Sequence, residues 1–228
     1  MRLEHGYTNE SVLEGTIVTK HYHGSDALER LTREAAALDA LSSFVPVPAV
    51  LHVDRTHYRL QTRYLPSRHG QTLIDAGQAS QALFVCGTLL HHLQTLSPHL
   101  LPDAPGSGRV IVHGDFGPQN VLLAPESWTV AALVDWEWVH VGQPVEDLAW
   151  AEWIVRSHHP HAVRELAALF RGYGDTPAWK LRHAAMVAQC DRLLAYVEQQ
   201  EQPDAVVLWK RRLEATERFV EREETSRT

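Results

Sequence analysis

Apolar residues alternate with polar ones in short runs over the first third of the chain, and recur at three- and four-residue steps over much of the rest. That change of period predicts a small sheet followed by helices. From Leu3 to Leu65 the pattern reads strand, turn, strand, helix, strand. Gly6-Tyr7-Thr8-Asn9 reads as a turn, and Gly15 as a tight reversal before the β-branched run Thr16-Ile17-Val18-Thr19. Gly24-Ser25-Asp26 offers turn and N-cap chemistry for a helix carrying Leu28, Leu31, Ala35, Leu38 and Leu41, which Pro46 and Pro48 end. Residues 50–53 and 58–65 predict two more strands, and Pro66 to Gly70 a linker. The boundary therefore falls between an N-terminal lobe, 1–66, of about five antiparallel strands plus one helix, and a mainly helical C-terminal lobe, 67–228. In the second lobe the pattern predicts a helix over 78–96 and an irregular loop through Gly108. Apolar runs at 110–112 and 121–123 read as a hairpin around a polar loop, and 131–134 as another short strand. Helices follow over 146–158, 161–171, 177–200 and 204–223, which makes the fold class α/β (α+β).

Composition narrows the classes of partner. A formal charge of −7 argues against nucleic acid and anionic membrane, which reward clustered Lys and Arg. No early stretch reads as a signal peptide and no apolar run approaches a membrane span, so a cytoplasmic location is expected. Cys86 and Cys190 fall in helical patterns and read as buried, reduced thiols. Fifteen His residues invite a zinc hypothesis, but His21-x-His23, His91-His92 and His158-His159-x-His161 give no chelating motif by spacing.

The chemistry lies near the middle. His113-Gly114-Asp115-Phe116-Gly117-Pro118-Gln119-Asn120 sets a carboxylate five positions before a carboxamide, and Val134-Asp135-Trp136-Glu137 follows after a short apolar run. One loop can then hold a hydroxyl acceptor with its first residue and a magnesium ion with its last, with Asp135 completing a set of oxygen ligands. That arrangement points to phosphoryl transfer.

The spacing matches the kinase catalytic loop, with Gly114 in place of its Arg. With Gly142-Gln143-Pro144-Val145-Glu146-Asp147-Leu148-Ala149, these motifs resemble the aminoglycoside phosphotransferase and choline kinase superfamily, whose loop reads H-G-D-x-x-x-x-N and whose metal motif often reads D-W-E. The resemblance covers about residues 3 to 155 and implies a protein kinase-like fold with ATP, GTP not being excluded, and Mg2+ between the lobes. It implies Asp115 as the catalytic residue receiving the acceptor hydroxyl, and Asn120 and Asp135 as metal ligands. Glu137 would reach a second metal or form a surface salt bridge. Thr8 and Asn9 resemble the end of a G-G-x-T-N phosphate loop, though the same residues suit an ordinary hairpin turn. Lys20 stands where kinases place the phosphate-binding lysine, with Glu34 as its partner and Glu29 as the rival. Arg63 and Leu65 would offer main-chain N–H and C=O to the adenine. Asp115 is expected to be ionised at neutral pH unless strongly desolvated, His113 to be scaffold, and Asp147 to anchor the loop or cap its helix. The function implied is transfer of a γ-phosphoryl group to a hydroxyl of a small polar acceptor, such as an aminoglycoside, amino alcohol or sugar. The alternative is a kinase-like module that binds nucleotide or a partner without turnover.

Overall fold

The computed structural model describes residues 2–3, 9–101 and 103–221. The first lobe is one antiparallel sheet of five strands in the order β1-β2-β3-β5-β4: β1 Arg2–Leu3, β2 Glu10–Glu14, β3 Ile17–His21, β4 Val50–Asp54 and β5 Arg59–Arg63. Gly15, at φ 59°, turns β2 into β3. Their register sets Ser11 opposite Lys20.

Helix α1, Ala27–Leu41, crosses from β3 to β4 and buries Leu31, Ala35, Leu38 and Leu41. Two details depart from the sequence pattern. Leu28 is 47% exposed, because the buried stripe runs through Ala27, Arg30 and Glu34 instead. Asp26 sits at the N-cap without a side-chain cap bond; its carboxylate accepts from Arg30 Nε at 3.0 Å.

Part of the segment read as a linker is regular structure. Arg68–His69 forms β6, which pairs with β8, Val121–Leu123, and β8 in turn pairs with β9, Val130–Leu133. β7, Val110–Val112, pairs with β10, His140–Gly142. The expected hairpin of 110–112 with 121–123 is thus corrected: β7 and β8 belong to different small sheets, and the loop between them spans the gap.

α2, Gly70–Leu73, runs through a π turn, Ile74–Gln78, into α3, Ala79–Thr95. α4, Val145–His158, follows β10, and a 3-10 turn, Pro160–Glu165, leads into α5, Leu166–Tyr173, then α6, Trp179–Gln199, and α7, Pro203–Glu217. The run Gly70–Thr95 is long and apolar enough by composition to count as a membrane span, against the sequence reading, yet half of its apolar window is buried within the protein. α3 packs on α5 in the main core, and both cysteines are buried and unpaired. A second cluster gathers Trp150, Trp153, Met186 and Cys190 where α4 meets α6, with Trp209 of α7 against it.

Candidate active site

The loop after β7 is held by backbone donors aimed at one carboxylate. The N–H groups of His113 and Gly114 donate to Asp147, in the first turn of α4, at 2.6 and 3.0 Å. Gly114 has φ 85°, and a Cβ there would lie 2.4 Å from the Trp138 carbonyl oxygen. An arginine at this position has neither the backbone conformation nor the space. His113 is fully buried, with Nε2 3.0 Å from the Val134 carbonyl. Burial pushes its ring down to about 3, so it is neutral and ties the loop to the strand that carries Asp135.

Asp115 then faces the space between the loop and α4. Its Oδ1 accepts from Trp150 Nε1 at 2.8 Å and its Oδ2 from Asn120 Nδ2 at 2.9 Å. Burial first, and next the charge of Asp135, push its carboxyl up to about 7 against the pull of those two donors. Strong desolvation, the condition set on its ionisation, is thus met in the fold. A carboxyl near neutrality is a more capable proton acceptor than one at the usual value. Trp150 left no mark in the sequence beyond being one of several indoles near the motif.

Asp135 has φ 71°, in the left-handed region, a strain of about 1 kcal/mol or more that the surrounding structure must hold. Its carboxylate meets Lys20 Nζ, which also lies 2.7 Å from Glu34 and 3.6 Å from Glu137. Burial opposes the Lys20 charge, but Asp135, Glu137 and Glu34 outweigh it and hold the ammonium well above the usual lysine range. Oxygens of Glu34, Asp135 and Glu137 lie within 4.8 Å of one another, a donor set that fits a hard divalent cation. Asn120 borders this group, and with its Nδ2 donating to Asp115 its Oδ1 is the atom a cation would take. Glu137 is buried rather than superficial: its Oε2 accepts from Arg30 Nη1 at 2.8 Å and from Asn9 Nδ2 at 2.7 Å.

Other expected positions fall as follows. Glu34, not Glu29, pairs with Lys20, while Glu29 forms an exposed i,i+4 pair with Arg33. Thr8, with Gly6 and Tyr7, lies outside the described residues. Arg63 and Leu65 line the same cavity as Lys20, but the Arg63 N–H donates to Ala49 O and the Leu65 C=O accepts from Ser67 Oγ. The Arg63 N–H is thus taken up within the sheet, while the Leu65 C=O keeps a second lone pair. A second group, Asp75, His159 and His161, also brings potential ligand atoms together, though Asp75 and His161 are more than half exposed.

Two cavities meet here. One, of about 340 Å³, lies between the lobes and is bordered by Lys20, Glu34, Arg63 and Leu65. The other, of about 450 Å³, is bordered by Asp115, Trp150 and residues of α6 and α7. Gln119, Asn120 and Asp135 line both.

The profile of the phosphotransferase enzyme family matches residues 1–104 and 89–186. Among solved structures, the GDP and kanamycin complex of APH(2")-IIia superposes with a TM-score of 0.74 at 12% identity, over 95% of this chain and 92% of that one. A choline/ethanolamine kinase family protein from Mesorhizobium loti gives 0.66 at 18% identity, over 99% and 89%. The streptomycin-ATP-APH(2")-IIa ternary complex gives 0.66 at 12%, over 94% and 90%. At these identities the likeness carries the fold, which is kinase-like. A stretch of 59 residues, 25% of this chain, is 36% identical to acyl-CoA dehydrogenase family member 11 of Homo sapiens and of Pongo abelii, and spans 8% of those relatives.

Proposed function

Because the chain belongs to the phosphotransferase enzyme family, we propose that it moves the γ-phosphoryl group of ATP to a hydroxyl of a small molecule, with magnesium bound between its lobes. The observation that carries this reading is the meeting of the two cavities at Gln119, Asn120 and Asp135, with Asp115 on the acceptor side. The interlobe cavity takes the nucleotide, as the solved relatives named as ATP and GDP complexes suggest. Lys20, steadied by Glu34, meets the phosphates as a compact positive charge. Asp135 and the Asn120 oxygen hold magnesium, with Glu137 in reach of the same group. When bound, the ion neutralises phosphate charge.

Asp115, set by Trp150 and Asn120, orients the acceptor hydroxyl and takes its proton as the new P–O bond forms and the bond to the leaving ADP breaks. Little proton removal is needed early in a loose transition state, so orientation is the larger part of its task.

The test is ATP consumption across an acceptor panel with the wild type and Asp135→Asn. Turnover should require magnesium and be lost in the variant while its fold, followed by circular dichroism, stays unchanged. Near-wild-type turnover in Asp135→Asn would overturn the assignment. Stabilisation by magnesium-ATP without transfer to any acceptor would leave a nucleotide-binding module.

A further inference from the structure

Among the described residues, two groups of side chains each bring three ligand atoms within 4.8 Å of one another, and their chemistry differs. Glu34, Asp135 and Glu137 offer oxygen alone, which suits magnesium. Asp75, His159 and His161 offer one carboxylate and two imidazoles, a set that suits zinc and neighbouring transition ions instead. The histidine spacing gave no chelating motif because the third ligand comes from 84 positions away.

The backbone brings these residues together from two directions. Asp75 sits in the π turn, Ile74–Gln78, in which Gly77 takes φ 78°. Such turns are rare and occur frequently at functional sites. His159 ends α4, where its N–H donates to Val155 O and its C=O accepts from the Ala162 N–H. Pro160 then starts the 3-10 turn that carries His161 beside Asp75. The two imidazole centroids are 6.1 Å apart with planes at 82°.

Only small movements are needed to close this group on an ion. Asp75 Oδ1 is 2.8 Å from His159 Nδ1 and 4.0 Å from His161 Nε2. Zinc bonds of about 2.0–2.2 Å in a tetrahedron hold their donors about 3.3 Å apart. The first contact must then open by about half an ångström and the second close by slightly more. Both movements fall on side chains at the surface: Asp75 is 59% exposed and His161 57%, so an ion reaches the group from solvent on their side. His159 is held in place by its burial. In the present contact its Nδ1–H donates to Asp75; with an ion in place of that proton, the ring carries its hydrogen on Nε2. Nε2 has no hydrogen-bond partner within the protein, so the change of tautomer breaks no bond there.

We propose that Asp75, His159 and His161 form a second metal site, which takes zinc or a transition ion of like size and softness. Water fills the fourth position, as three protein ligands require. The ion clamps the π turn onto the end of α4. This site goes beyond the phosphoryl-transfer reading and does not depend on it.

The experiment is zinc titration by calorimetry on the full chain, free of affinity tags and stripped with chelator, in excess magnesium and without nucleotide. One zinc per chain should bind and raise the melting temperature. Cobalt(II) should bind with the visible absorption of a four-coordinate site. His161→Ala and Asp75→Asn alter exposed side chains and should leave the fold intact by circular dichroism. Each should weaken zinc binding about tenfold or more and remove most of the zinc-dependent thermal shift. Absence of stoichiometric binding, or zinc affinity unaltered in either folded variant, would overturn the proposal. So would zinc affinity that is lost in Asp135→Asn instead, because it would place the ion at the oxygen group.

Discussion

Lys20 lies among three carboxylates, Glu34, Asp135 and Glu137, and with Arg30 on Glu137 two fixed cations face three acids. The arrangement leaves room for a further cation, arriving together with a polyanion. Lys20→Ala should raise the KM for ATP and lower kcat, and Glu34→Ala should give a smaller defect of the same kind. In the double variant the losses should be less than additive, because the two act as one unit; full additivity in steady-state kinetics would refute the pairing. His113 supports a second expectation. In the unfolded chain its ring takes a proton below about 6.5, while burial delays this to about 3 in the fold. The unfolded state then binds more protons in that window, so stability is lost as pH falls through it. Asp147, pushed up to about 6 by burial, acts in the opposite sense, so the wild type must be compared with His113→Gln. Urea unfolding should show the wild type losing about 2 kcal/mol more than the variant between pH 7 and pH 5, and parallel profiles would contradict this. Asp115, Asn120, Asp135 and Lys20 were legible because each sits at a fixed offset within a motif. Trp150 and the Asp75–His159 contact were not, because their partners lie 35 and 84 positions away.

Elements long enough to repeat their pattern were readable, and short ones were not. α3, expected over 78–96, spans Ala79–Thr95, and the five-stranded sheet follows the alternation and turn residues of the first lobe. β6 and β10 have two and three residues, too few to show a period, and only pairing with β8 and β7 makes them strands. The same limit explains the mistaken hairpin: two apolar runs flanking a polar loop look alike whether they pair with each other or elsewhere. The seam between α3 and α5 also escaped notice. A Cβ on Gly87 would lie 2.1 Å from Leu169 O, and one on Gly172 would lie 2.1 Å from Phe84 O, so the two backbones approach through paired glycines. Gly87→Ala should gain about 1 kcal/mol in helix propensity and lose more by forcing the helices apart. The expected net result is a destabilisation of about 1–3 kcal/mol by chemical denaturation. A stabilised variant would mean that the seam opens freely.

At the scale of the whole molecule, the lobes are joined by charge across the cleft as well as by the chain. Arg30 of α1 is 1% exposed, and its guanidinium reaches Glu137 at 2.8 Å, while Arg33 of the same helix donates to the Glu137 carbonyl at 3.0 Å. Asn9 bridges the pair, accepting from Arg30 and donating to Glu137. The segment after β9 is thus tied to the small lobe at the point where Asp135 meets Lys20. Removing one partner of a buried pair strands the other charge, so Arg30→Ala should cost about 3–5 kcal/mol in urea unfolding. Adding Glu137→Gln should restore part of that loss, since it removes the stranded carboxylate. Kinetics then separate the two roles open to Glu137. If it serves chiefly as this clasp, Arg30→Ala should raise the KM for ATP by loosening the cleft and leave the magnesium concentration needed for half-maximal rate nearly unchanged. If Glu137 instead acts chiefly on the ion, Glu137→Gln should raise that concentration at least tenfold while stability changes little. Measuring both variants for unfolding and magnesium dependence distinguishes the outcomes, and the buried geometry of Arg30 and Glu137 favours the first.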